Sequence, residues 1–139
     1  MFSTTNNVLP IKNSEDNLCL ARAICLTKAH LHKDDGAEGK RYYKNLENNP
    51  NVLTQCAKFL YKQAGVPKGP CWRAELEKFQ QYLAPDYQLK LMTTCYPYCI
   101  TFQGDVESSK YIIRLLYQPE YESDMGHYHG CTSYGFLER

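Results

Sequence analysis

An α+β domain, helices first and a mostly antiparallel sheet second, is predicted by three observations. Apolar residues recur at helical spacing up to about residue 83, alternation replaces that period from Tyr87 onward, and the nearly continuous apolar run from Tyr111 to Tyr117 suits a central strand. At 139 residues the chain is expected to be one domain with a real core.

Taken in order, residues 1 to 12 read as an extended lead-in, in which Val8-Leu9-Pro10-Ile11 lies along a sheet edge or packs under the first helix. Asp16 and Asn17 are helix-capping types, so a helix is expected from about Leu18 to Leu31. Its composition leaves mainly Arg22 to reach water, which marks it as the central, buried helix. His30 and His32 are expected as surface caps near its C-terminus, and Gly36 punctuates the loop that follows.

Gly39 to Glu47 reads as a short polar helix that Asn48-Asn49-Pro50 stops. From Asn51 to Ala64, Val52, Leu53, Cys56, Phe59, Leu60 and Ala64 follow a helical period, with Gly65 placed to terminate it. Trp72, Leu76, Phe79 and Leu83 form one stripe on a helix over Cys71 to Leu83, with Trp72 and Phe79 expected in the core and Pro85 closing the element. Strands are then expected around Tyr87–Leu91, Tyr98–Phe102, Lys110–Tyr117 and His127–Thr132, with another at Phe136-Leu137. An acidic loop, Gln118 to Gly126, separates the last two major strands. Arg139 follows without a tail, an ending compatible with a domain cut from a longer protein.

A net charge of +1 and a pI near 7.6 give no electrostatic case for nucleic acid or a membrane surface. No window approaches the roughly 18 apolar residues of a membrane span, and the first ten residues lack the pattern of a secretory signal. Seven cysteines, an odd count without an export signal, favour reduced thiols in the cytoplasm or nucleus. A monomer is expected, with no cofactor.

Cys19 falls in the first turn of the central helix, where unpaired N–H groups and the macrodipole favour a thiolate. The plain alternative is core, a common fate of free cysteine and the better fit for Cys25, two turns deeper. What lifts Cys19 is Gly126-His127-Tyr128-His129 at the far end of the chain. A thiol hydrolase needs an imidazole that accepts the thiol proton and later gives it to the leaving amine, and both His127 and His129 qualify by position. A cysteine at the head of a buried helix with a late-strand histidine is the chain order that papain-like thiol hydrolases use.

Asp16-Asn17-Leu18-Cys19-Leu20-Ala21-Arg22-Ala23 resembles the Asp-Gly-Asn-Cys-Leu-Phe-Arg-Ala signature of ovarian-tumour (OTU) family deubiquitinases. His127-Tyr128 matches the first two positions of that family's His-Tyr-(Asn or Asp). Over most of its length the chain is also similar to cysteine-peptidase-like domains encoded beside protein-primed DNA polymerases in viruses and Maverick-type elements. The segments concerned are Asn13 to Ala23, Gly65 to Cys71 and His127 to Ser133.

The resemblance implies a papain-like, OTU-like cysteine peptidase fold acting on ubiquitin or a ubiquitin-like modifier. Cys19 would be the nucleophile and His127 its base, with the amides between Asp16 and Cys19 as the oxyanion hole. Asn13 would add a side-chain donor, against its plain reading as a turn residue. The third position of the histidine motif is His129, so the orienting role is open to a backbone carbonyl, a water or an acidic residue from elsewhere. A swap that makes His129 the base stays open, since alternate strand residues share a face. Glu120, Glu122 and Asp124 are candidate partners for basic residues of the modifier's tail; the alternative is a solvated acidic loop.

Two rival readings remain. His127, His129 and Cys131, with Cys95 and Cys99, could supply zinc ligands to an interaction domain, although no Cys-x-x-Cys occurs. A catalytically weak or dead peptidase fold that binds a partner is the other.

Overall fold

The computed structural model describes residues 7–12, 16–94, 98–119 and 126–135. Among them are helices α1 (Cys19–Leu31), α2 (Ala37–Asn48), α3 (Pro50–Ala64) and α4 (Arg73–Leu83), and strands β1 (Val8–Leu9), β2 (Tyr87–Thr93), β3 (Cys99–Gln103), β4 (Tyr111–Gln118) and β5 (His127–Cys131). The strands form a sheet in the order β1-β5-β4-β2-β3. Its pairs are antiparallel except β2 and β4, which run parallel, so the chain turns through β3 at the edge before recrossing β2. The architecture is α+β, helices leading. The strand expected at Phe136-Leu137 lies outside the described residues.

The run at 111–117 is central because both of its faces are covered. Ile113 and Leu115 face the helices, while Leu116 joins Met92, Cys131 and Tyr134 on the other side. Against the helical face lies α1, whose Leu20, Ala21, Ala23, Ile24, Leu26 and Ala29 are all buried. Each buried leucine or isoleucine contributes about 1.5–3 kcal/mol relative to exposure. The helix comes so close to β5 that a Cβ at Gly130 would overlap the Thr27 hydroxyl and meet Leu9 Cβ at 3.1 Å.

Helix limits follow local chemistry. Pro50 occupies the first turn of α3, and Gly65 closes it at φ 70°. The stripe that faces the core from α3 is Leu53, Ala57, Leu60 and Tyr61, rotated from the expected one, so Phe59 points outward and is 60% exposed. Helix α4 starts at Arg73 rather than Cys71, because Glu75 accepts the Trp72 N–H at 2.8 Å and ends the helix there. Trp72 is therefore outside the helix and 52% exposed, which corrects its expected core role; Phe79 is buried as expected.

Gln80 splices helix to sheet. Its Oε1 accepts the Leu89 N–H at 2.7 Å and its Nε2 donates to the Tyr87 carbonyl at 2.8 Å, as a neighbouring strand would. His30 and His32 are also more than surface caps. His30 packs edge-on to Tyr43, while His32 hydrogen-bonds Asp35 at 2.7 Å and the Tyr87 hydroxyl at 2.5 Å and lies edge-on to Tyr111, pinning the end of α1 to the sheet. Among the described residues, no helix is long and apolar enough to cross a membrane.

Candidate functional site around Cys19 and the start of strand β5

The turn ahead of α1 is built by Asp16, Asn17 and Arg22. Asp16 accepts the Leu18 N–H at 3.2 Å and forms a two-pronged ion pair with Arg22, whose Nε also reaches the Thr54 hydroxyl at 3.3 Å. Arg22, expected in water, is instead 7% exposed. The reason is that the carboxylate of Asp16 folds back over the helix to meet it, and a guanidinium bound at both ends tolerates burial. The same hydrogen bond holds the Asp16 carboxyl below its ordinary pKa. Asn17 takes the left-handed conformation at φ 59°, which asparagine tolerates better than most residues. Its carbonyl accepts the Tyr61 hydroxyl proton at 2.9 Å.

Cys19 is the first residue of α1 and half-buried. Burial pushes its thiol up; the backbone N–H groups of Tyr128 and Leu20 and the charge of Arg22 pull it down, and burial prevails. This corrects the lowered pKa expected from the helix terminus alone. The N–H of Tyr128 belongs to the peptide that follows His127. The nucleophile candidate and the start of β5 therefore meet, with more than a hundred residues of sequence between them.

The two imidazoles also meet, edge to face with ring centres 4.4 Å apart. Both are tied to one backbone unit. His127 Nε2 donates to the Ile11 carbonyl, and the Ile11 N–H donates to His129 Nδ1 at 3.0 Å. A ring nitrogen that accepts must be unprotonated. Burial, reinforced by His127, lowers His129 to about 4, in keeping with that role. His127 in turn has its proton on Nε2, leaving Nδ1 as the basic nitrogen of the neutral ring. No hydrogen bond joins the Cys19 sulfur to either imidazole among the described residues. His127, His129 and Cys131 alternate onto the face away from α1, while Tyr128 and Gly130 face it.

Around the sulfur stands a wall that the sequence did not announce. Tyr61 lies 2.7 Å from the Cys71 sulfur, Tyr128 donates to the Cys71 carbonyl at 2.9 Å, and the Tyr117 ring is 4.9 Å from Tyr128 and 5.2 Å from Trp72. Ile11 acts through its backbone, so no side-chain pattern could have revealed it. Trp72 was visible as the chain's sole tryptophan, but its helical spacing pointed to the core.

Asn13, Glu120, Glu122, Asp124 and Cys95 lie outside the described residues. No group of three or more histidine, cysteine or acidic side chains is placed to hold a metal among the described residues. Cys131, one of the zinc candidates, directs its thiol to the Ser133 carbonyl at 2.9 Å. A separate cavity of about 430 Å³ opens between α1, α3 and α4, lined by Cys25, Cys56, Tyr42 and Phe59 among others. There burial, chiefly, pushes the Cys25 thiol up to about 12, an inert state.

Compared with protein-family models, with curated proteins and with solved structures, the chain matches none.

Proposed function

We propose that this protein is a papain-like, OTU-like cysteine peptidase that releases ubiquitin or a ubiquitin-like modifier, with Cys19 as nucleophile and His127 as general base. The observation that carries the reading is the meeting of Cys19, at the head of a buried helix, with the His127–Tyr128 peptide, where the His127 ring is held by a backbone carbonyl. The motif's glycine position is taken here by Asn17, whose φ of 59° is one that glycine adopts freely.

In this mechanism the third catalytic role, vacant in the sequence because His129 replaces an acid or amide, belongs to the Ile11 carbonyl. It fixes the His127 tautomer and stabilises the imidazolium, and His129 steadies Ile11 by accepting its N–H. His127 stands on the sheet face turned away from α1, so in this mechanism its ring comes round the start of β5 to the sulfur. Nδ1 then takes the Cys19 proton, the thiolate attacks the scissile carbonyl, and the imidazolium protonates the leaving amine. Water then hydrolyses the thioester with His127 again as base. Because Asp16 engages the Leu18 amide, the Asn17 and Cys19 amides are the donors left in this turn for the oxyanion. Contacts between sulfur and imidazole in such sites tighten when substrate binds. The proposal includes a monomer working in a reducing, intracellular compartment, with Glu120, Glu122 and Asp124 meeting a basic tail.

A second reading, a peptidase fold that binds but does not cleave, is favoured by one observation: the Cys19 thiol is raised rather than lowered. A ubiquitin probe with a C-terminal thiol-reactive group separates the two. The peptidase reading expects an adduct mapped to Cys19, lost in Cys19→Ala and at least tenfold slower in His127→Ala. An adduct that persists in Cys19→Ala overturns the assignment, and binding without any adduct supports the second reading.

A further inference from the structure

Among the described residues five large apolar side chains are exposed, and three of them, Tyr42, Phe59 and Tyr82, line the cavity between α1, α3 and α4. Being exposed, these rings stand at its mouth. Behind them the floor is apolar, with Ile24, Ala29, Leu60 and Leu83 each no more than 6% exposed. At about 430 Å³ the space is in the lower part of the roughly 300–1,000 Å³ range of small-molecule sites. It follows α1 from Ile24 to Ala29, and none of Cys19, Cys71 and Tyr128 lines it, so it is separate from the candidate nucleophile.

Several polar groups of the lining already serve the fold. The Tyr42 hydroxyl and the Cys56 thiol hydrogen-bond at 3.5 Å, and the two ring nitrogens of His32 are taken by Asp35 and the Tyr87 hydroxyl. Lys28 differs. Its ammonium lies 5.2 Å from the centre of the Tyr87 ring and close enough to pull on the Cys25 thiol, yet among the described residues no carboxylate pairs with it. Acids from the neighbouring loop and helix have other partners: Asp34 meets Lys33, Asp35 meets His32, and Glu47 accepts the Tyr43 hydroxyl proton. No aspartate or glutamate is part of the lining, which leaves its charge positive.

An apolar space with an aromatic mouth and an ammonium lacking a counterion suits a small amphiphile with a negative head. The chain displaces poorly bonded water from the floor, and the carboxylate gains a charge-assisted hydrogen bond. A neutral head gains only the first of these, and a cationic head meets a like charge. We propose that the cavity binds a medium-chain fatty acid, its alkyl chain against Ile24, Ala29, Leu60 and Leu83 and its carboxylate on Lys28. This site does not depend on the peptidase reading.

Three amphiphiles of one chain length test it. The wild-type protein is titrated calorimetrically with decanoate, decan-1-ol and decyltrimethylammonium, each below its micelle-forming concentration. Decanoate is expected to bind at least about tenfold tighter than the alcohol, with the ammonium weakest. Lys28→Gln should bring decanoate to within about twofold of the alcohol, and Lys28→Arg, which keeps the charge, should restore the preference. Equal affinities for the three, or no binding, overturn the site. So does a decanoate preference that Lys28→Gln leaves intact, or a loss that Lys28→Arg does not restore. Cys19→Ala is expected to bind decanoate as the wild type does; a loss there would put the ligand beside the candidate nucleophile and overturn its place in this cavity.

Discussion

The Ile11 carbonyl accepts the proton of His127 Nε2 across 116 positions of sequence. One residue of the lead-in thereby sets the tautomer of a histidine at the other end of the chain, and its N–H is taken by the second histidine. That bond gives the site its acid sensitivity.

His129 has its pKa lowered from 6.5 to about 4, so it stays neutral in the fold where the unfolded chain would bind a proton. The unfolded state then holds more protons between those values, and stability falls as pH drops from about 6.5 to about 4. Allowing for its partial exposure, the loss is on the order of 1–2 kcal/mol. His129→Asn, which keeps an acceptor for Ile11 but cannot titrate, should flatten that part of a denaturant-midpoint-versus-pH curve. An unchanged slope would show that other groups carry it.

Cys19 should be slow to alkylate in the free protein. Because burial outweighs the amides of Tyr128 and Leu20, its rate with iodoacetamide is expected to rise with a midpoint above the ordinary thiol value of 9.0. Peptide mapping distinguishes it from exposed Cys99. A midpoint near neutrality would mean that an imidazolium already pairs with the sulfur.

The Asp16 and Arg22 pair should show strong coupling. Asp16→Ala leaves a guanidinium with 8% side-chain exposure and only Thr54 to meet it among the described residues, at a cost of about 2–3 kcal/mol. Adding Arg22→Met should recover much of that loss, since the burial is then apolar. The folded Asp16 carboxyl is depressed, so its stabilisation is present above about pH 3.8 and fades below as it protonates. Urea melts of the four proteins at pH 7 test the cycle, and simple additivity would refute it.

Gln80→Ala strips partners from the Leu89 N–H and the Tyr87 carbonyl, and should cost about 2–4 kcal/mol with a fall in Tm of roughly 10 °C or more. Gln80→Glu keeps the acceptor for Leu89 but loses the donor, so an intermediate loss is expected. A loss under 0.5 kcal/mol for alanine would show that the sheet closes without the amide.

Periodicity made the element order legible, and the covered apolar run identified β4 as central. Residues whose partners are remote were not legible. Arg22 reads as the polar face of a helix until Asp16 is known to fold back on it, and Gln80 reads as surface until β2 lies beside it. Trp72 shows how one hydrogen bond, from its backbone N–H to the Glu75 carboxylate, moves a helix start by two residues and turns a core expectation into an exposed ring. At the candidate site, spacing and chemistry pointed to Cys19 and His127 as candidates, whereas Ile11 offers only main-chain atoms and leaves no trace in side-chain patterns.

The tight seat of α1 on β5 at Gly130 makes that glycine a fulcrum. One added methyl, as in Gly130→Ala, would drive a wedge under Thr27 a little over two turns from the helix head and tip the whole cylinder. Thiol chemistry at position 19 would then shift although nothing near the sulfur had changed, so a change too small to alter charge or hydrophobicity could detune the protein from the middle of the strand.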